Sequence, residues 1–134
     1  MNFKYGDTLR IENDLYTVLG TIAYENKEGY SWVEHLLIEH RTDTEYWLSK
    51  DDGSRGYENR EYQLSRVVST GIIPDGMRLV DSGRERVTDV WDIYGSDDVE
   101  RGDEADYKNY RNNKGLFFSI EKWEDCTEYS RGRY

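Results

Sequence analysis

The chain of 134 residues carries 28 acidic and 18 basic residues, which gives a net charge of -10, and it contains 12 Tyr, 4 Trp and 3 Phe. This length is that of one domain, residues 1–134. The acidic charge repels phosphate backbones and anionic lipids, and no apolar run reaches the roughly 18 residues of a membrane-spanning helix, so we expect no nucleic-acid binding and no membrane insertion.

Turn signals recur at short intervals and separate segments rich in aromatic and β-branched residues, which is typical of an antiparallel β-meander. Such signals stand at 51–53, at Asp81-Ser82-Gly83 and at 95–97, and no segment keeps a helical apolar period over three turns. The predicted strands cover residues 8–12, 15–25, 30–40, 44–50, 61–69, 77–81, 85–94, 104–112 and 115–124, with a last one near 127–131.

Residues 104–112 also fit a short helix, because Tyr107 and Tyr110 are three positions apart and would share a helical face. We favour a strand, since Asn113-Lys114-Gly115 has the composition of a hairpin turn that leads into another apolar segment.

A shift of 70 positions aligns Gly6 with Gly76 and Trp47 with Phe117, which suggests two related halves, 1–70 and 71–134. Chance similarity in an aromatic-rich chain explains these pairs equally well. The predicted fold class is all-β, with two related antiparallel β-meanders packed as a sandwich or a partly closed barrel.

Two features bear on the cellular compartment. The N-terminal MNFKYGDTLRIE contains no apolar core of signal-peptide length, and the single cysteine, Cys126, has no partner for an intramolecular disulfide. We therefore expect a cytoplasmic protein.

Five short motifs occur in order along the chain: GDTL at 6–9, YTVLG at 16–20, WVE at 32–34, YWLS at 46–49 and SIEKW at 119–123. Together they resemble a bacterial family designated only as domain of unknown function 4178. The resemblance implies no reaction, cofactor or ligand that could be assigned to these residues.

Two glutamates lie two positions from a tryptophan on the same predicted strand face, Glu34 beside Trp32 and Glu121 beside Trp123. An ionised carboxylate among aromatic side chains costs several kcal/mol unless it is paired. A carboxyl pair about 5 to 9 Å apart would suit acid–base chemistry. Alternatively, each glutamate is structural, and for Glu34 we expect a largely buried carboxylate bonded to a tyrosine, an arginine or a backbone amide.

The remaining candidates favour structural roles. His35 and His40 are five apart and face opposite sides of a strand, so they cannot share a metal, and His35 is expected to be packed or hydrogen-bonded. The acidic stretch 95–106 does not fit a calcium-binding EF-hand loop. The four tryptophans, Trp32, Trp47, Trp91 and Trp123, are expected in the core. We assign no catalytic residue, metal ligand or cofactor.

These observations leave two function classes. The first is a non-enzymatic module that binds a protein partner or self-associates. The alternative is a small-ligand-binding β-barrel with acid–base carboxylates at Glu34 and Glu121. A filled interior would favour the first, and a concavity lined by the candidate residues would favour the second. The candidate ligand or interaction residues are Trp32, Glu34, Trp47, Glu121 and Trp123.

Overall fold

The regular structure of the protein is entirely β in a computed structural model that describes residues 3–51, 62–68, 71–91, 100–124 and 126–133. No helix that could cross a membrane occurs among these residues. The strands that they form are β1 Thr8–Ile11, β2 Asp14–Asn26, β3 Ser31–Glu39, β4 Glu45–Asp51, β5 Tyr62–Val68, β6 Arg78–Trp91, β7 Glu104–Arg111, β8 Leu116–Lys122 and β9 Thr127–Arg133.

The strands form one antiparallel sheet in the order β1-β2-β3-β4-β5-β9-β8-β7-β6, and β6 also pairs with β2. This last pairing closes β2 to β9 into an eight-stranded barrel and leaves β1 as an extra strand on β2. The first five strands pair with the last four at two seams, β5–β9 and β2–β6. The predicted all-β class is confirmed in its barrel form, whereas the duplication of two halves stays a prediction.

The predicted strand at residues 104–112 is confirmed, but the predicted turn at Asp81-Ser82-Gly83 is wrong, because β6 runs through it without interruption. A Cβ at Gly83 would lie 2.9 Å from the hydroxyl oxygen of Tyr107, its partner on β7. Glycine at this position therefore makes room for a ring on the neighbouring strand. The turn signals at 52–53 and 95–97, and the end of the predicted strand 85–94, lie outside the described residues.

A bulge in β2 determines which of its side chains enter the barrel. Val18 pairs with Leu37 and Gly20 pairs with Leu36, so Leu19 is an extra residue in the ladder. Leu37 and Leu36 are consecutive and point to opposite faces of the sheet, so their partners Val18 and Gly20 also point to opposite faces. The inserted residue therefore reverses which side chains of β2 point into the barrel. In β2, the even-numbered residues before the bulge, such as Tyr16, face outward, and the even-numbered residues after it, such as Ile22, face inward.

Two apolar cores result, one on each face of the sheet. The outer core consists of Tyr16, Val18, Leu37, Leu48 and Leu64, with Phe3, Leu9, Ile11 and Tyr46 packed against it. The inner core consists of Ile22, Tyr24 and Val87, with Trp32, Trp47, Val90 and Trp123 packed against it. The N-terminal segment thus covers part of the outside of the barrel, while aromatic rings from several strands line the inside.

His35 belongs to the outer face and is fully buried. Its Nδ1 shares a hydrogen bond of 2.8 Å with the hydroxyl of Thr21, and the ring of Phe3 meets it edge-on at a centroid distance of 5.1 Å. The predicted packed and hydrogen-bonded histidine is confirmed. Burial lowers the pKa of His35, so the ring is held in its neutral form.

Gly132 provides a test of the β5–β9 seam. A Cβ there would collide with the carbonyl oxygen of Leu64 and lie 2.7 Å from the Cα of Ser65, both backbone atoms of the adjacent strand. We expect Gly132→Ala to lower the free energy of unfolding by on the order of 1 to 3 kcal/mol, since the strands must separate to admit the methyl group. Gly83→Ala, which meets only the movable ring of Tyr107, should cost less. Denaturant unfolding curves measure both, and an equal or smaller loss for Gly132→Ala would contradict this account.

Candidate ligand site

Contacts between strands that are not sheet neighbours identify the inner face of the barrel. The rings of Trp32 on β3 and Tyr107 on β7 meet edge-on with centroids 6.0 Å apart, although at least two strands separate β3 from β7 in either direction around the sheet. Trp32 also stacks on Tyr24 of β2 at 5.5 Å and an interplanar angle of 16°. These three rings form an aromatic group across the interior.

Four strands place a glutamate on this same face, and we call these residues the carboxyl cluster: Glu34 on β3, Glu85 on β6, Glu121 on β8 and Glu128 on β9. The facing follows from the register, because cross-strand partners point to the same side. Glu121 is paired with both Tyr107 and Glu128, and Glu34 is paired with the inward-facing Ile22.

Glu34 and Glu121 interact across the barrel, since three strands separate β3 from β8 in both directions. Burial and, to a smaller extent, the negative charge of Glu121 together raise the pKa of Glu34 to about 8. The indole Nε1 of Trp32 donates a hydrogen bond of 3.2 Å to Glu34 Oε2, which opposes the shift without cancelling it. Glu34 is therefore largely protonated at neutral pH.

Glu85 is the most deeply buried member of the cluster, with 3% of its surface exposed. Burial raises its pKa well above the usual range, and the charge of Glu121 together with a hydrogen bond between the two carboxyl groups adds to the effect. Two carboxyl groups can form such a bond only if one of them carries a proton. Glu85, whose pKa is raised, therefore holds the proton of this bond.

Each member of this pair also has a buried oxygen without a hydrogen-bond partner, Oε1 of Glu85 and Oε2 of Glu121. Most buried polar atoms in folded proteins have a partner, and an unpaired one costs about 1 to 3 kcal/mol. Glu34 and Glu121 keep part of their surface accessible, unlike Glu85. The interior therefore offers acceptor oxygens that a ligand with N–H or O–H groups would satisfy.

Tyr24 experiences the field of the whole cluster. Burial raises its pKa well above the usual range, and the charges of all four glutamates act in the same direction. Tyr24 also stacks on Trp32, so the aromatic group and the carboxyl cluster occupy one region of the interior. Among the described residues, no group of three or more His, Cys, Asp or Glu side chains is arranged to hold a metal ion.

The structure places all five sequence-predicted candidates on or against the inner face. Trp32 and Glu34 contact each other, Glu34 and Glu121 interact electrostatically, and Trp47 and Trp123 pack against the inner core. Their roles in binding a ligand or a partner stay predictions.

Two expectations about particular side chains are wrong. The donor to Glu34 is the indole of Trp32 rather than a tyrosine, an arginine or a backbone amide. Trp91, expected in the core, lies at the end of β6 with 46% of its surface exposed.

Sequence reasoning missed Glu85, Tyr24 and Tyr107. A glutamate at the start of a strand is normally solvated, and the wrong turn at residues 81–83 placed Glu85 in that position. The alternation of side chains along a strand could have indicated the burial of Glu85, because it lies two residues before the apolar Val87, which is buried. The same spacing identified the two glutamates beside tryptophans.

Fold and site together define a closed antiparallel β-barrel whose interior combines carboxyl groups with aromatic rings. The chain belongs to the family described as Domain of unknown function (DUF4178), whose sequence profile matches residues 4–134. This match confirms the resemblance drawn from the motifs. Comparisons with curated proteins and with solved structures gave no match.

The raised carboxyl pKa values predict how stability depends on pH. The folded protein keeps protons that the unfolded chain loses above pH 4.5, so this contribution to stability is complete below pH 4.5 and is lost as pH rises to about 8. Glu34→Gln, which resembles the protonated side chain, should remove the loss and raise the free energy of unfolding at pH 8 by at least about 1.4 kcal/mol, the value of one pKa unit. Glu85→Gln should act in the same direction.

The measurement is a set of denaturant melts between pH 4.5 and 8, read as the difference between variant and wild type. This difference cancels the opposing effect of His35, whose lowered pKa removes stability as pH falls below 6.5. The exposed Glu124 gives the matched control, because Glu124→Gln removes the same charge outside the cluster. Glutamine variants that are less stable than wild type at pH 8 would contradict the prediction.

Proposed function

We propose that the barrel interior binds a small organic cation of the ammonium type. The observation that carries the proposal is the Glu85–Glu121 pair, two neighbouring carboxyl groups that each hold a buried oxygen without a partner. An ammonium group supplies N–H donors to such oxygens and the positive charge that buried carboxylates need. This favours the ligand-binding alternative over a barrel whose interior serves only as a core.

The aromatic group supports an organic rather than an inorganic cation. Trp32, Tyr24 and Tyr107 present ring surfaces beside the carboxyl cluster, and a cation within about 6 Å of such a ring gains roughly 0.5 to 2 kcal/mol. The alkyl part of an ammonium ion also gains from contact with aromatic surface, which a hydrated metal ion does not. Acid–base chemistry at Glu34 and Glu121 remains a prediction from the sequence.

Two probe cations test the proposal by calorimetry at pH 9. Butylammonium has N–H donors and an alkyl chain, whereas tetramethylammonium has the charge but no donor. We expect butylammonium to bind more tightly, because only it satisfies the oxygens of Glu85 and Glu121. Glu85→Gln should weaken butylammonium binding by about tenfold or more, and Glu124→Gln should leave it unchanged. Potassium chloride at matched ionic strength measures the non-specific effect of salt.

Three results would overturn the proposal: no binding of either cation, equal affinity in wild type and Glu85→Gln, or equal weakening by Glu124→Gln. Trp32 in the interior gives a second readout, since a ligand beside its ring should change the tryptophan fluorescence.

A separate observation supports self-association as a second candidate function. The start of β6, residues 78–80, lies beside β7 on one side, and no strand in the described part of the chain pairs with its other edge. Leu79 and Val80 on this segment expose 52% and 43% of their surface. An open edge with apolar side chains favours pairing with another strand. We propose that two copies of the chain pair through this edge.

Sedimentation analysis over a range of protein concentrations tests this second proposal. Val80→Lys should weaken the dimer by about tenfold or more, because a lysine on an edge disfavours pairing. Leu15→Lys is the matched control, since Leu15 is also partly exposed but lies on β2 with β1 beside it. A monomer at all concentrations, or an equal effect of both variants, would exclude pairing through this edge.

A further inference from the structure

We propose that the interior exchanges protons for its cation, so that each ammonium ion that binds displaces a proton from the carboxyl cluster. This inference rests on the proposed function and concerns how the same site is regulated. It makes the affinity for the cation dependent on pH in a range that includes neutrality.

The carboxyl cluster faces a defined set of groups from the neighbouring strands. Glutamates come from β3, β6, β8 and β9, and the tyrosines Tyr24 and Tyr107 come from β2 and β7. The residues of β4 that face inward beside Glu34 are Trp47 and Ser49, which carry no charge. In the described chain, no lysine or arginine is among the groups that act on the pKa of Glu34 or Glu85. Arg111 lies on the same face of β7, paired with Phe117 further along the strand, and it is not among these groups, so the ionised forms of Glu34 and Glu85 lack a compensating cation.

The protonation of Glu85 and Glu34 follows from these surroundings. Burial and the charge of the neighbouring Glu121 both favour the protonated form of Glu85. Glu34, on the opposite side of the barrel, titrates at about pH 8. At neutral pH Glu34 and Glu85 thus both carry a proton.

A bound cation changes this protonation. A positive charge beside a carboxyl group favours its ionised form, so the proton leaves to solvent as the ion pair forms. The exchange balances as COOH plus RNH₃⁺ giving COO⁻ paired with RNH₃⁺, plus H⁺. No bond to carbon or nitrogen changes, and the net charge of the interior is the same before and after. Glu34, which keeps part of its surface accessible, provides a position from which a proton can reach water.

The consequence is a defined pH dependence. Where one proton is released for each cation bound, the dissociation constant falls about tenfold for each unit of rising pH. Above the pKa of the group that supplies the proton, the dissociation constant no longer changes. A site with ionised carboxylates at all pH values above 5 would instead bind with constant affinity through neutrality.

Proton release during binding is measured directly by adding butylammonium chloride to the protein in unbuffered potassium chloride and recording the base needed to hold the pH. We expect about one proton per bound cation at pH 7 and fewer at pH 9. Parallel fluorescence titrations give the dissociation constant at each pH independently of the proton count. Glu34→Gln should reduce the release at pH 7, whereas Glu124→Gln should leave it at the wild-type value.

The outcomes separate the two proposals. Binding of butylammonium without proton release, or with an affinity that is constant from pH 6 to 9, overturns the exchange and leaves the cation site in place. Absence of binding at every pH overturns the cation site itself. Equal proton release in wild type, Glu34→Gln and Glu85→Gln would show that the protons come from elsewhere and would also overturn the exchange.

Discussion

Carboxyl groups inside a closed barrel must be neutralised, and this requirement governs the interior around Glu85 and Glu121. Glu85 meets this requirement by holding a proton beside Glu121, and Glu34 meets it by holding a proton and accepting a hydrogen bond from Trp32. Neither solution is as favourable as a packed apolar side chain, because replacing buried charged groups by apolar ones of similar volume is often neutral or stabilising. The cluster is therefore a local cost that other parts of the fold must offset.

The offset comes largely from outside the barrel. The outer core of β2 to β5 is apolar and is covered by the N-terminal segment, so it stabilises the sheet without using the interior. The bulge at Leu19 makes this division possible, because it directs one part of β2 to the outer core and the other to the inner face. Stability and the polar site are thus assigned to opposite faces of the same strands.

The strands themselves were largely predictable from the sequence, whereas the interior was not. Turn residues and alternation are local signals, and they located most strands to within a few residues. The wrong predictions arose because these local signals contain no information on contacts between distant strands. Gly83 resembles a turn residue, but it is a glycine because the ring of Tyr107 lies on it, a reason that depends on the register between β6 and β7. The proximity of Glu34 and Glu121 depends on closure of the whole barrel, which no window of sequence contains.

Glu34 shows how the structure changes the balance between the two explanations of a buried carboxylate. A structural glutamate would be ionised and paired with a cation or with several donors, and its pKa would then be low. Glu34 has one indole donor, a carboxylate opposite, and a raised pKa. Raised pKa values concentrate where groups serve binding or catalysis, because there the cost to folding is balanced by function. The same reasoning holds for Glu85 and Glu121, since an ion that paired with their two unpartnered oxygens would remove the cost of burying them.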